Sequence, residues 1–153
     1  MELCFYNAVL GGMSCDGKKF AYENALASCN KNICGRKEWF TCACCPPNVS
    51  RLLASIGGYM WDFEAKDKAV DIKVHMFGAA MLTIPVGKQE VKLKQTSEWP
   101  WKWGVEFSLD APQDVETTIS IRIPGWALEW TVSREEFIFV EITTDLCLRQ
   151  HLK

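Results

Sequence analysis

The period of the apolar residues changes once along the chain, near Trp61, and that change sets the fold class. Ahead of it, Leu3, Tyr6, Val9 and Leu10 recur at helical spacing until Gly11-Gly12 ends the run. A second stripe, Val49, Leu52, Leu53, Ile56 and Met60, follows Pro46-Pro47. Proline suits the first turn of a helix, where a missing N–H costs nothing. Between the two helices, Asp16-Gly17 separates Met13-Ser14-Cys15 from Phe20-Ala21-Tyr22 and predicts a short hairpin. The polar stretch 24–36 has no period and reads as loop.

Past Trp61 the period is two. Val70, Ile72, Val74 and Met76 alternate with Asp71, Lys73 and His75, the pattern of a half-buried strand. In that alternation His75 reads as an outward-facing polar residue. Further strands are expected near 80–84, 91–95, 105–109, 117–123 and 137–142. Pro85-Val86-Gly87, Glu98-Trp99-Pro100 and Pro124-Gly125 punctuate them. The chain is therefore expected to be α+β. Helices and a hairpin fill residues 1–62, and a mainly antiparallel β-sandwich fills 63–153.

Composition removes several function classes. A net charge of -2 and the lack of any Lys/Arg-rich stretch argue against a nucleic-acid partner. No apolar run approaches the roughly 20 residues that a bilayer requires, so no membrane partner is expected. Met1-Glu2-Leu3-Cys4 opens without a basic region or cleavage site, which points to a cytoplasmic protein. Seven Trp are many for 153 residues. They serve packing or sugar stacking, and composition does not separate the two.

The 8 cysteines do not look like a disulfide framework, because three of them stand at Cys42, Cys44 and Cys45. Adjacent cysteines are poorly placed to bridge one another. Thiolates used for metal or catalysis fit better. Cys44 and Cys45 precede the helix that starts at Pro46-Pro47, where partial positive charge and unpaired N–H groups favour an anion. The prolines cannot donate, so Asn48 and later residues are the expected donors. A single cysteine is more often a small apolar filler; three in one window shift the balance towards chemistry. Zinc is the obvious metal, but the spacing is not that of a zinc finger. Further ligands would come from a distance, with Cys15, Cys29, Cys34 and Glu2 as candidates.

The block from Glu38-Trp39-Phe40-Thr41 through Cys42-Ala43-Cys44-Cys45-Pro46-Pro47-Asn48-Val49 to Gly57-Gly58-Tyr59 closely resembles the signature of glycoside hydrolase family 127, the β-L-arabinofuranosidases. Glu2 with Tyr6-Asn7, Leu10-Gly11-Gly12-Met13-Ser14, Asp16-Gly17-Lys18-Lys19-Phe20 and Tyr22-Glu23-Asn24-Ala25-Leu26 follow the family order. Trp99-Pro100-Trp101 and Arg122-Ile123-Pro124-Gly125-Trp126-Ala127 look like its sandwich markers.

The resemblance covers residues 1–127 and implies the end of a catalytic (α/α)₆ barrel followed by an incomplete β-sandwich. It also implies an arabinofuranosyl-containing carbohydrate as substrate and a zinc ion in the active site. Cys44 would be nucleophile and zinc ligand, Cys45 a second ligand, and Glu2 a substrate-pocket carboxylate. The family's other two zinc ligands, a Glu and a Cys one residue apart, and its acid/base glutamate are expected ahead of Met1. The chain then reads as the C-terminal part of a longer enzyme, weak or inactive alone, whose exposed barrel faces favour self-association. Two rival readings stay open. One is a non-catalytic carbohydrate-binding or structural β-module using Trp99, Trp101, Trp103 and Trp126; the other is a cysteine-based metal-binding protein.

Overall fold

The computed structural model describes residues 1–22, 35–134 and 138–142. The chain divides into two compact units, Met1–Ile56 and Gly57–Lys153. Most of the expected loop, 24–34, lies outside the described residues.

In the first unit α1 (Glu2–Cys4) runs on into a π-helical turn, Phe5–Val9, and a 3₁₀ turn, Leu10–Gly12. The helical period read from Leu3, Tyr6, Val9 and Leu10 is therefore present, although its pitch first widens and then tightens. It stops where Met13 turns extended. The predicted hairpin follows. Met13 bridges Phe20, Phe20 bridges Lys37, and the Ser14 N–H donates to the Lys19 carbonyl at 2.9 Å. Gly17 takes the turn at φ +70, a conformation that a Cβ would resist.

Helix α2 (Pro46–Ala54) starts on its prolines as expected but does not reach Met60. Ser55 leaves helical geometry, and its hydroxyl donates to the Arg51 and Leu52 carbonyls at 2.9 and 3.2 Å. Such a hydroxyl competes with the next turn of helix, and Gly57-Gly58 is too weak a helix former to carry the turn through. A separate short helix, α3 (Gly57–Met60), results.

The second unit carries eight strands. They are β1 (Trp61–Lys66), β2 (Ala69–Val74), β3 (Ala80–Val86), β4 (Gln89–Ser97), β5 (Gly104–Asp110), β6 (Glu116–Ile121), β7 (Trp130–Arg134) and β8 (Ile138–Ile142). One sheet has the order β1-β2-β6 and the other β3-β4-β5-β8-β7. Every pair is antiparallel except β2–β6, which is parallel. The hairpins β1–β2 and β3–β4 each turn through two residues, with Asp67 (φ +48) and Gly87 (φ +63) in the left-handed conformation that short turns use.

Alternation explains the core. Val70, Ile72 and Val74 of β2, Ile84 of β3, Val91 and Leu93 of β4, Val105 and Phe107 of β5, and Val140 of β8 are all buried. Phe77, just past β2, meets the Phe107 ring at 6.3 Å and so links the two sheets. Strands β1 and β7 were not legible in advance. Only Trp61 of β1 is buried and every residue of β7 is exposed, so neither shows an inward row. Phe107→Ala removes a fully buried ring and should lower the stability of the chain by about 3–5 kcal/mol. Met81→Ala, at a residue 65% exposed, should change it by no more than about 0.5 kcal/mol in the same urea titration.

Candidate functional site

Cys45 is the last residue before α2, and Pro46 is the one buried residue of that helix. The bend is held from inside the helix. Asn48 Nδ2 donates to the Cys44 carbonyl at 2.9 Å, the Asn48 N–H donates to the Cys45 carbonyl at 3.0 Å, and Arg51 Nη1 donates to Asn48 Oδ1 at 3.1 Å. This corrects the expectation that Asn48 would serve the thiols. Its donors fix the backbone of Cys44 and Cys45 instead.

The thiols are served by side chains. Cys44 Sγ lies 3.3 Å from Tyr22 Oη and 3.4 Å from Cys45 Sγ. The Tyr22 ring packs on Phe40 with centroids 4.8 Å apart, so the hairpin and the segment leading to the cysteines meet beside Cys44. Hydrogen bonds from Tyr22 first, then from Cys45 and Cys42, hold the Cys44 thiol below the ordinary cysteine value. The cost appears on the donors. Sharing with Cys44 pushes the Cys45 thiol up, and the Tyr22 phenol rises because its proton is held against Cys44 and Cys45. Of the three groups, Cys44 is therefore the one whose thiolate is favoured, with Cys45 and Tyr22 held in their protonated forms. Tyr22 is the residue that sequence reasoning missed as functional: it stands among the family-like residues, but only the fold brings its hydroxyl to Cys44.

Two thiolates on one tetrahedral zinc, each at about 2.3 Å, stand about 3.8 Å apart. Cys44 and Cys45 come within a few tenths of an ångström of that, so their sulfurs fit half of a zinc sphere. Among the described residues no group of three or more His, Cys, Asp or Glu converges on a metal position. Glu2 is buried beside Tyr6, whose phenol is raised by burial and then by the Glu2 charge, and it does not join the cysteines in such a group. Glu2-Leu3-Cys4 itself has the Glu-Xaa-Cys spacing that the family resemblance placed ahead of Met1. With Glu2 buried and Cys4 exposed, this pair does not complete the sphere either. Cys15 is exposed, and Cys29 and Cys34 lie outside the described residues.

The tryptophans divide. Trp99 stacks on Trp126 at 5.6 Å and meets Trp103 edge-on at 5.2 Å, with Phe77 at 5.4 Å on its other side. These rings pack one another. Trp101 alone of the four turns outward, 86% exposed.

Residues 1–58 match the family model for the β-L-arabinofuranosidase GH127 catalytic domain, and residues 71–136 match the model for the GH127 middle domain. The second match runs past Ala127, where the resemblance read from the sequence stopped. The chain is 31% identical over 139 residues to the non-reducing end β-L-arabinofuranosidase of Bifidobacterium longum subsp. longum, covering 83% of this chain and 20% of that protein. It is similar in fold to a GH127 β-L-arabinofuranosidase from Geobacillus stearothermophilus T6, with a TM-score of 0.70, 26% identity, and coverage of 94% of this chain and 27% of that one. A GH127 β-arabinofuranosidase structure also matches at a TM-score of 0.64 and 31% identity, over 86% of this chain and 21% of that one. The chain thus spans about a fifth of the length of the curated relative it matches.

Replacing Tyr22 by Phe keeps the contact with Phe40 and removes the hydroxyl beside Cys44. With less thiolate present at neutral pH, alkylation of Cys44 by iodoacetamide should slow roughly two- to fivefold. Cys15, outside the cluster, should react at its original rate in the same peptide maps.

Proposed function

Because this chain belongs to glycoside hydrolase family 127, we propose that it carries the nucleophile-bearing part of a retaining β-L-arabinofuranosidase, with Cys44 as the nucleophile. The carrying observation is the placement of Cys44 Sγ against Tyr22 Oη at 3.3 Å and Cys45 Sγ at 3.4 Å, ahead of α2. An exposed sulfur stands there with hydrogen-bonding groups on two sides, which favour its thiolate form.

In this reading the Cys44 sulfur attacks the anomeric carbon of an arabinofuranosyl group. The C–S bond forms as the glycosidic C–O bond breaks, and a carboxylic acid of the enzyme protonates the departing oxygen. Water then attacks the same carbon, its proton passes to that carboxylate, and the sulfur leaves as thiolate. Two inversions give retention. Cys44 and Cys45 would hold the zinc, which when bound keeps the thiolates ionised at neutral pH. Tyr22 orients the attacking sulfur and steadies its charge before and after attack. Glu2 is assigned to the substrate pocket, which its burial beside Tyr6 supports.

The first unit is read as the end of an (α/α)₆ barrel. The apolar residues Val49, Leu52 and Leu53 of α2 are only part-buried, as a helix taken from a larger barrel would leave them. The same exposed stripe favours self-association of the isolated chain. The second unit is read as an incomplete β-sandwich. Ile119, Ile121, Ile123, Trp130 and Val132 line an open apolar cleft of about 320 Å³ at the strand edges, where a further layer would be expected to pack. Among the described residues no further group joins Cys44 and Cys45 to complete the zinc sphere.

Two measurements on the full chain test the reading. An L-arabinofuranosyl bromoacetamide should label Cys44 ahead of Cys4, Cys15 and Cys42, with L-arabinose protecting it. Equal labelling of all four would sink the nucleophile assignment. With zinc added, 4-nitrophenyl β-L-arabinofuranoside should be turned over weakly or not at all. Robust turnover that Cys44→Ala abolishes would show instead that the chain holds a complete active site.

A further inference from the structure

The loop joining β4 to β5 holds one ring out of place for packing. Trp99 and Trp103, on either side, are part-buried in the aromatic cluster with Trp126 and Phe77. Trp101, midway between them, is 86% exposed. The loop that presents it is well tied. The Trp101 N–H donates to the Glu98 carbonyl at 2.8 Å, Lys102 Nζ meets Glu98 Oε1 at 2.6 Å, and the Trp99 N–H donates to Ser97 Oγ at 3.0 Å. Trp101 therefore stands on a short platform anchored at both ends by buried aromatic area. A ring this exposed adds little to the packing of the unit, and its apolar faces are open to stack on a ligand.

Beside the ring opens a cleft of about 570 Å³. That lies within the range of small-molecule and short-oligomer sites, about 300–1,000 Å³. Ser97, Glu98, Lys102, Glu106 and Glu141 bring hydroxyl, ammonium and carboxylate groups to its walls. A flat apolar face bordered by such groups matches one ligand chemistry well. A sugar ring offers a C–H face to the indole and hydroxyls at its rim to the polar side chains. Three carboxylates against one ammonium make the cleft net negative, which disfavours uronates and sulfated sugars.

We propose that the Trp101 cleft is a non-catalytic binding site for neutral oligosaccharides, lying wholly within the second unit. It does not rest on the assignment of Cys44 as nucleophile. It would hold a glycan by stacking on Trp101 and by hydrogen bonds to Ser97, Glu106 and Glu141, with Glu98 and Lys102 bracing the loop.

The test titrates the full chain with linear arabinotetraose, xylotetraose and trigalacturonate, read by calorimetry and by tryptophan fluorescence. At least one neutral sugar should bind saturably below about 10 mM, and trigalacturonate about tenfold more weakly or not at all. Trp101→Ala should weaken neutral-sugar binding about tenfold or more with an unchanged circular dichroism spectrum, and Trp101→Phe should retain part of it. Cys44→Ala should leave it unchanged, which separates failure of this site from failure of the nucleophile assignment. The proposal is overturned if neither neutral sugar binds, if trigalacturonate binds as well as they do, or if Trp101→Ala binds like the parent chain. It is equally overturned if binding is lost with Cys44→Ala, since the sugar would then sit at the cysteines.

Discussion

The bend ahead of α2 depends on one side chain. Asn48 reaches back one turn to the Cys44 carbonyl, and its own N–H takes the Cys45 carbonyl. Pro46 could not have donated to either of them, so the first available amide in the helix does so. With those two carbonyls satisfied, the backbone of Cys44 and Cys45 is fixed, and the two sulfurs are left on the outside of the turn. The 3.4 Å between the sulfurs goes with that bend, and Tyr22 Oη, brought from the hairpin, takes the Cys44 thiol below its ordinary value.

Helix N-termini are usually credited with stabilising anions through their free N–H groups. Here the first turn begins with two prolines, and the next N–H is spent on a carbonyl. The burden of holding a thiolate passes to side chains, chiefly the Tyr22 phenol. That exchange explains why the hairpin belongs to the site at all, since its turn at Gly17 returns the chain to place Tyr22 on Phe40 and against Cys44.

In the second unit the same residue type does two different things two positions apart. Trp99, Trp103 and Trp126 bury area against one another, while Trp101 is held away from them. Packing and presentation are linked, because part-buried rings on either side hold the ends of the loop that carries the exposed one. A mixed sheet, with β6 laid parallel to β2, accompanies this β-rich unit.

Much of this was legible in the residues themselves. The switch from a 3.6-residue to a two-residue period showed a mixed α+β chain, and alternation pointed to β2, β3, β4, β5, β6 and β8, because each alternates between a more covered and a more exposed face. The cysteine-proline block marked the candidate site, because three thiols in one window beside a helix start are more than apolar filling calls for. Strands β1 and β7 were not legible: their residues face solvent, and only backbone pairing makes them strands. Nor was the break of the second helix at Ser55, where a side-chain hydroxyl and two glycines outweighed an unbroken apolar stripe. The partner of Cys44 is the clearest case. Twenty-two residues separate Tyr22 from Cys44, and no local pattern relates a tyrosine to a cysteine at that distance. Sequence named the candidate thiols; the tertiary structure alone decided which hydroxyl would stand beside Cys44, because that contact is made through space.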